Sequence, residues 1–338
     1  MAAHGPAAFL VLAGSACSIL PPAPAASSWE ARLADAQVAQ AESLAAAAPG
    51  PPGPVRRDAH PGRPAEGAAS GPADDAPRRA ALAAARAALA AARQAAYPAA
   101  SARALLLIGH LDGDLGASTE ALSLFRGLGD ADGVTKARLQ LAELAVGAGQ
   151  PTAALGWLAP LQADPAAAPE GDSPLGRQQI ALAAARIHHL QAAALRQQGR
   201  RADALSRERR ASIALSLLPD DQQLPLRLGV TQALGDDHAG AADFQRALEQ
   251  HARAASLSRA LGDARAELAA LAGLCGDLAG LGRFKDAADH CTRALALAQE
   301  LHDRTRARDL ALAGLALLGA MGEPHTTDRW RAFDAAAR

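Results

Sequence analysis

The spacing of apolar residues predicts helices along almost the whole chain beyond residue 78. Apolar side chains recur at the three- and four-residue intervals of one helix face, and glycine-containing turns interrupt the runs. β-Branched and aromatic residues, which favour strands, are scarce, and Phe, Trp and Tyr together make up 3% of the chain. The pattern therefore predicts an all-α protein.

The N-terminal part of the chain has a different composition. Residues 28–48 have a helical pattern, whereas residues 49–77 are dense in Pro and Gly and contain almost no large apolar side chains. Such a segment cannot bury enough apolar surface to offset the entropy lost on ordering. We expect residues 18–77 to be a tether with one short helix and a disordered linker, ahead of a folded domain over residues 78–338.

The folded part contains internal repeats, and the clearest unit runs from Leu261 to Asp303. It opens with Leu-Gly-Asp and ends, 40 residues later, with Leu-His-Asp. Two helical patterns lie inside it and are separated by Gly282 and Arg283. We expect this unit to be a helical hairpin.

This unit resembles a tetratricopeptide repeat. The residues that carry the resemblance are the large and small apolar positions of the first helix, the turn glycine with the aromatic residue after it, and the small residues of the second helix: Leu271, Leu274, Cys275, Gly282, Phe284, Ala287 and Ala294. The resemblance implies hairpins that stack into a right-handed solenoid with a concave groove for a peptide or a partner helix. Small residues at the crossing points let helices approach to about 8–9 Å.

Weaker copies of the same pattern occur along residues 100–322. Their turn glycines are predicted at Gly116, Gly149, Gly199, Gly235 and Gly282. Residues 310–322 followed by 329–337 are predicted to be a degenerate closing pair, since terminal repeats have one face in water. A generic Ala-rich helical bundle is the competing interpretation.

Charge and candidate chemistry do not indicate an enzyme. The net charge of −1 carries no basic excess, so we expect no nucleic-acid partner. The adjacent His188 and His189 point in different directions on a helix, so they do not form a metal pair. No phosphate-binding loop or nucleophile elbow is present. We expect no catalytic residues, no metal and no cofactor.

Cys275 and Cys291 lie nearly symmetrically about the turn of the clearest hairpin, one in each helix. They should face each other across it. In an oxidising compartment they could form a disulfide. In a reducing one they would be two buried thiols that pack as small apolar residues.

The family resemblance also implies a partner-binding groove lined by the first helix of each hairpin. The groove positions inferred from the helical phase are Arg103, His110, Lys136, Glu143, Arg186, His189 and Arg196. Four permanent cations against one acid would favour an acidic segment or a terminal carboxylate. A solvated polar face without a ligand is the alternative.

The first 17 residues resemble the signal end of a bacterial lipoprotein. An apolar run over residues 7–13 is too short to span a bilayer and is followed by small residues and Cys17. The resemblance implies lipidation of Cys17 and a position at the periplasmic face of the outer membrane. A plain cleaved signal and a chance cysteine are the alternatives.

These observations favour a non-catalytic scaffold or adaptor that binds another protein. A cytoplasmic regulatory or sensor module with the same solenoid is the second interpretation. The fold by itself hosts many roles, so the partner does not follow from it.

Overall fold

The computed structural model describes residues 29–47, 76–161, 174–324 and 327–337. The predictions for Cys17 and for most of the Pro/Gly-rich linker lie outside these ranges. Within them, every regular element is a helix. The fourteen helices are α1 (Trp29–Ala47), α2 (Ala76–Gln94), α3 (Pro98–Asp112), α4 (Leu115–Leu128), α5 (Ala131–Gly147), α6 (Pro151–Leu158), α7 (Pro174–Gln197), α8 (Arg201–Leu215), α9 (Leu224–Gly240), α10 (Phe244–Leu261), α11 (Ala264–Gly280), α12 (Phe284–Glu300), α13 (Arg304–Ala320) and α14 (Asp328–Ala337).

The helices pack in series, because each one contacts the helix before it and the helix after it. A second set of contacts joins α1 to α3, α3 to α5, α5 to α7, and α9 to α11. The odd-numbered helices therefore form one layer of the stack, and the even-numbered helices lie outside it. This is the arrangement of a helical-repeat solenoid, and it confirms the predicted fold class.

Turns between successive hairpins follow one local rule. Gly129, Gly262 and His302 adopt the left-handed conformation, with φ of 69°, 68° and 55°. The Asp that follows each of them caps the next helix by accepting a backbone N–H with its side chain. The Leu-Gly-Asp and Leu-His-Asp motifs of the sequence are therefore helix stop and start signals.

Two of the predicted turn glycines are wrong. Gly116 lies inside α4, because the Asp114 side chain accepts the N–H groups of Gly116 and Ala117 and starts that helix earlier. The turn residue there is Gly113, with φ 71°. Gly235 lies in the middle of α9, and the turn of its hairpin is made by Ala242, with φ 58°.

The first helix also differs from its predicted role in the tether. α1 packs against α2 and α3, and Ala34, Val38 and Ala41 are completely buried. It is part of the helical stack. At the other end, α13 and α14 form the predicted closing pair, with Phe333 buried between them.

One pair of positions recurs in four successive hairpins. It consists of a small residue in the odd helix and a second residue sixteen positions later in the even helix. The second residue is larger in three of the pairs and is another cysteine in the fourth. In each pair the first residue lies seven residues before the turn residue. The pairs are Ala142 and Leu158, Ala192 and Glu208, Gly235 and His251, and Cys275 and Cys291. All eight residues are buried.

Candidate functional site

The odd-helix layer is the candidate site, and the predicted groove residues lie on it. Arg103 and His110 belong to α3, Lys136 and Glu143 to α5, and the other three to α7. Within each helix they are spaced by three or seven residues, which places them on one face. That face lies toward the neighbouring odd helices, as two contacts show. Arg103 reaches α1, and Arg186 of α7 bonds Glu143 of α5.

The positive charge of this layer is neutralised within the chain. Arg103 pairs with Glu42 at 2.7 Å and with Asp35 at 3.3 Å. Lys136 pairs with Asp132 at 2.6 Å, four residues before it on the same helix. The sequence count of four cations against one acid is therefore wrong for the folded chain, because it left out acids contributed by neighbouring turns and helices.

Arg196 is the most deeply paired cation of the predicted groove. Its Nε lies 3.0 Å from Asp237 of α9, and its Nη2 pairs with Glu208 of α8. Glu208 is completely buried and also bonds His189 of α7. Burial raises the pKa of Asp237, although the charge and the hydrogen bond of Arg196 oppose that rise. This cluster ties three consecutive helices together and leaves Arg196 little capacity for a ligand.

A second buried charge cluster is centred on His251 of α10. Its Nδ1 bonds Asp277 of α11 at 2.6 Å, and its Nε2 lies 3.4 Å from Asp236 of α9 in an ion-pair contact. Burial lowers the pKa of His251, but the two carboxylates outweigh that effect and raise the pKa from 6.5 to about 9. The imidazole is therefore charged at neutral pH and links α9, α10 and α11.

Sequence reasoning missed both clusters, although the repeat register held a signal for them. Asp237 and Asp277 occupy equivalent places, two residues after the small member of the recurring pair. Glu208 and His251 are the large members of that pair. Polar residues at buried positions of a repeat must find partners there, so two of them in register indicate an inter-helix network.

Cys275 and Cys291 occupy the same pair of positions one hairpin later. The structure joins their sulfurs in a disulfide, with 5.3 Å between the Cα atoms, and the two residues are 4% and 0% exposed. That Cα separation lies in the normal range for disulfides. The chain geometry is therefore compatible with the bond.

Other chemistry is sparse in the described ranges. They contain no group of three or more His, Cys, Asp or Glu residues that could hold a metal ion. None of their helices has the length and apolarity needed to cross a bilayer. His188 lies within hydrogen-bond distance of Gln191, at 3.3 Å, and His189 bonds Glu208, so the two adjacent histidines serve separate contacts.

Comparison with solved structures identifies the fold. A Signal Transduction ATPase with Numerous Domains (STAND) protein with a tetratricopeptide repeat sensor, from Pyrococcus horikoshii, matches with a TM-score of 0.55 and 12% sequence identity. The match covers 75% of this chain and 36% of that one, so the chain spans about a third of the length of that protein. The described part is thus a TPR-like helical-repeat solenoid.

Other comparisons add little. Aspartyl phosphate phosphatase F from Bacillus subtilis aligns with a TM-score of 0.39 and 11% identity over 77% of this chain and 75% of that one, which is too low a score to support an argument. No protein-family model and no curated protein matches the sequence.

Proposed function

We propose that this chain is a non-catalytic protein-interaction module that holds a segment of a partner protein along its odd-numbered helices. The observation that carries the proposal is the layer formed by these helices, whose polar side chains lie on one face of a TPR-like stack. Stacked hairpins bury a continuous core only as an extended array, and the array presents a long surface suited to peptides and helices.

The ion pairs of that layer change the expected partner chemistry. Since Arg103, Lys136, Arg186 and Arg196 each have a carboxylate partner, the layer offers alternating charges in place of a cationic strip. A partner segment of mixed charge that can exchange with the exposed pairs of Arg103, Lys136 and Arg186 fits better than a purely acidic one. Such rim pairs govern specificity more than affinity.

Site-specific photocrosslinking in the native host tests the proposal. A crosslinking amino acid replaces His110 or Lys136, both exposed on the odd-helix layer, and in a control it replaces the exposed Arg253 of α10. The first two variants should give the same discrete protein adduct, to be identified by mass spectrometry, and the control should not. Equal labelling from all three positions, or adducts from none, would contradict a partner on this layer.

For the cellular setting we propose export and lipidation at Cys17, followed by oxidation of Cys275 and Cys291. The support is the lipoprotein-like signal together with a chain geometry that accepts the disulfide. Palmitate labelling that is lost in Cys17→Ala, with the other two cysteines oxidised in protein from the host envelope, is the expected result. Free thiols and no label would favour the second candidate, a cytoplasmic regulatory or sensor module, for which the tetratricopeptide sensor of the STAND protein is a precedent in fold.

A further inference from the structure

A second surface, on the outer side of the stack, carries positive charge that has no carboxylate partner among the residues that the structure describes. A pocket of about 310 Å³ lies between α6, α7 and α8. Its apolar part is formed by Leu155 of α6 and Leu195 of α7, and the remaining lining residues are Gln191, Arg200, Asp203, Ser206, Arg207 and Arg210.

The pocket exists because α6 is short. It begins at Pro151 and ends at Leu158 after 8 residues, whereas the next outer helix, α8, has 15. Ala159 is the C-cap residue of α6, and Pro160 after it has no backbone N–H with which to continue the helical hydrogen bonds. Among the described helices, α6 therefore covers only part of the side of α8 that lines the pocket.

Charge in the pocket is not balanced. Asp203 is the only acid among the lining residues that the structure describes, and it pairs with Arg200 at 2.7 Å. Within the ranges that the structure describes, neither Arg207 nor Arg210 has a hydrogen bond or an ion pair with a carboxylate. Two adjacent guanidinium groups that share no anion repel each other, and a carboxylate between them would relieve that repulsion.

Exposed aliphatic side chains begin one helical turn beyond Arg210. Ile213, three residues later on the same face of α8, is 64% exposed, and Leu217 just past the end of the helix is 59% exposed. Large aliphatic side chains exposed to this extent next to a cationic pocket mark an interaction surface when they adjoin each other. The cationic and apolar groups are about 5 Å apart along the helix axis.

We propose that the face of α8 from Arg207 to Ile213, together with the adjoining pocket, binds a partner peptide that carries an acidic side chain one helical turn from a branched aliphatic side chain. The carboxylate lies between Arg207 and Arg210, and the aliphatic group covers Ile213. This second surface extends the proposed function of the module without depending on the odd-helix layer.

Panning of a random-peptide phage library on the full chain tests the proposal. The library is panned in parallel on the wild type and on the double variant Arg207→Glu, Arg210→Glu. Arg207 is half-buried and Arg210 is exposed, and neither belongs to the buried core. We expect sequences with Asp or Glu three or four residues from Leu or Ile to be enriched on the wild type alone. Enrichment that is the same on both proteins, or no enrichment on the wild type, would overturn the proposal.

Binding measurements with a fluorescein-labelled enriched peptide test the cationic part and the apolar part of the surface separately. The double variant and Ile213→Asp should each weaken binding by about tenfold or more, as expected for loss of a charge-assisted or a buried apolar contact. Arg253→Glu on α10 and Lys136→Glu on the odd-helix layer are the matched controls and should leave binding unchanged. Since Lys136 belongs to the surface read by photocrosslinking, either proposal can fail while the other stands.

Two further results would show that something other than a partner peptide binds this surface. Competition by inorganic phosphate as strong as that by unlabelled peptide would show a simple anion site. Sedimentation showing a dimer of the wild type that Ile213→Asp dissociates would show that a second copy of this chain covers the patch. Each result would overturn the assignment to a partner peptide.

Discussion

Gly235 is a glycine whose role depends on the residue packed against it. It lies in mid-α9, and a Cβ atom placed there would come within 2.5 Å of the His251 ring. In the sequence, a glycine within a helical pattern is compatible with a turn or with a close approach. Nothing local distinguishes the two, because the deciding contact comes from α10, sixteen residues later.

Replacement of Gly235 by Ala should therefore destabilise the protein. A methyl group in contact with a fully packed ring forces a shift that costs about 1–3 kcal/mol. The matched control is Gly276→Ala, since Gly276 lies in the interior of α11 with no atom within 4 Å of its added Cβ. That control should be neutral or stabilising by up to about 1 kcal/mol. Urea unfolding of the two variants measures both effects, and equal stability would show that the close approach is not maintained in solution.

His251 should make the stability of the protein depend on pH in the alkaline range. Its folded-state pKa of about 9 is higher than the ordinary value of 6.5, so the folded state binds the extra proton between these two values. The stabilisation is complete below pH 6.5 and is lost as the pH rises toward 9. With about 1.4 kcal/mol for each pKa unit, the loss is on the order of 3 kcal/mol.

The variant His251→Gln should lose this dependence, even if it is less stable at every pH. Urea unfolding at several pH values between 6.5 and 9 gives the slope. His110→Gln, which removes an exposed histidine from α3, is the control and should keep the wild-type slope. An unchanged slope in His251→Gln would mean that Asp236 and Asp277 do not hold the proton on this ring.

At the scale of helices, the sequence predicted that the helices exist and where several of them end. It misplaced the turns at Gly113 and Ala242 and did not predict that α1 packs on the stack. The Gly-Asp turns, with their left-handed residue and their capping carboxylate, are local signals and place the ends of α4, α5, α10 and α11. Association of α1 with α3 comes from burial of Ala34 and Val38 in one apolar cluster with Ala100 and Ala104. The ion pairs of Arg103 with Asp35 and Glu42 add to it, and all these partners lie about sixty residues away across a segment of different composition. Such contacts leave no local pattern, so the sequence alone predicts this helix as part of the tether.

The α11–α12 hairpin gives an element-scale prediction. A disulfide between Cys275 and Cys291 closes a loop of about sixteen residues, which stabilises the folded chain by about 3 kcal/mol through the unfolded-state entropy. In a Cys17→Ala background, dithiothreitol should lower the urea midpoint of oxidised protein. The further substitution of both cysteines by Ala should remove that response. A response to reductant that persists without the two cysteines would contradict the assignment.

On the scale of the whole molecule, the repetition of one hairpin was visible in the sequence and the surfaces it creates were not. Composition and the turn motifs indicate an array. The balance of charge on the odd-helix layer depends on which acids come from neighbouring helices, such as Asp237 beside Arg196. The pocket at α8 depends on how the short α6 lies against α7 and α8, which is a property of the packed helices.

The closing pair gives a prediction at this scale. Phe333 of α14 is 1% exposed and packs against Gly314 of α13, so Phe333→Ala should cost about 3–4 kcal/mol locally. Because each repeat contacts only its neighbours, hydrogen exchange should increase in α13 and α14 and stay unchanged in α3 to α6. Phe284→Ala, which truncates a side chain that is 37% exposed, is the control and should change little. Faster exchange along the whole chain would contradict a linear array.

The recurring buried position gives consecutive hairpins different sensitivities. Glu208 holds its neighbours by an ion-pair cluster, His251 by a bound proton and Cys291 by a covalent bond, although all three stand at one place in the repeat. The stability of the His251 hairpin therefore depends on pH, and that of the Cys291 hairpin depends on the redox conditions. We expect alkali to destabilise the hairpin of His251 and reductant to destabilise that of Cys291. An experimenter can therefore unfold one chosen hairpin of the array while the others stay folded.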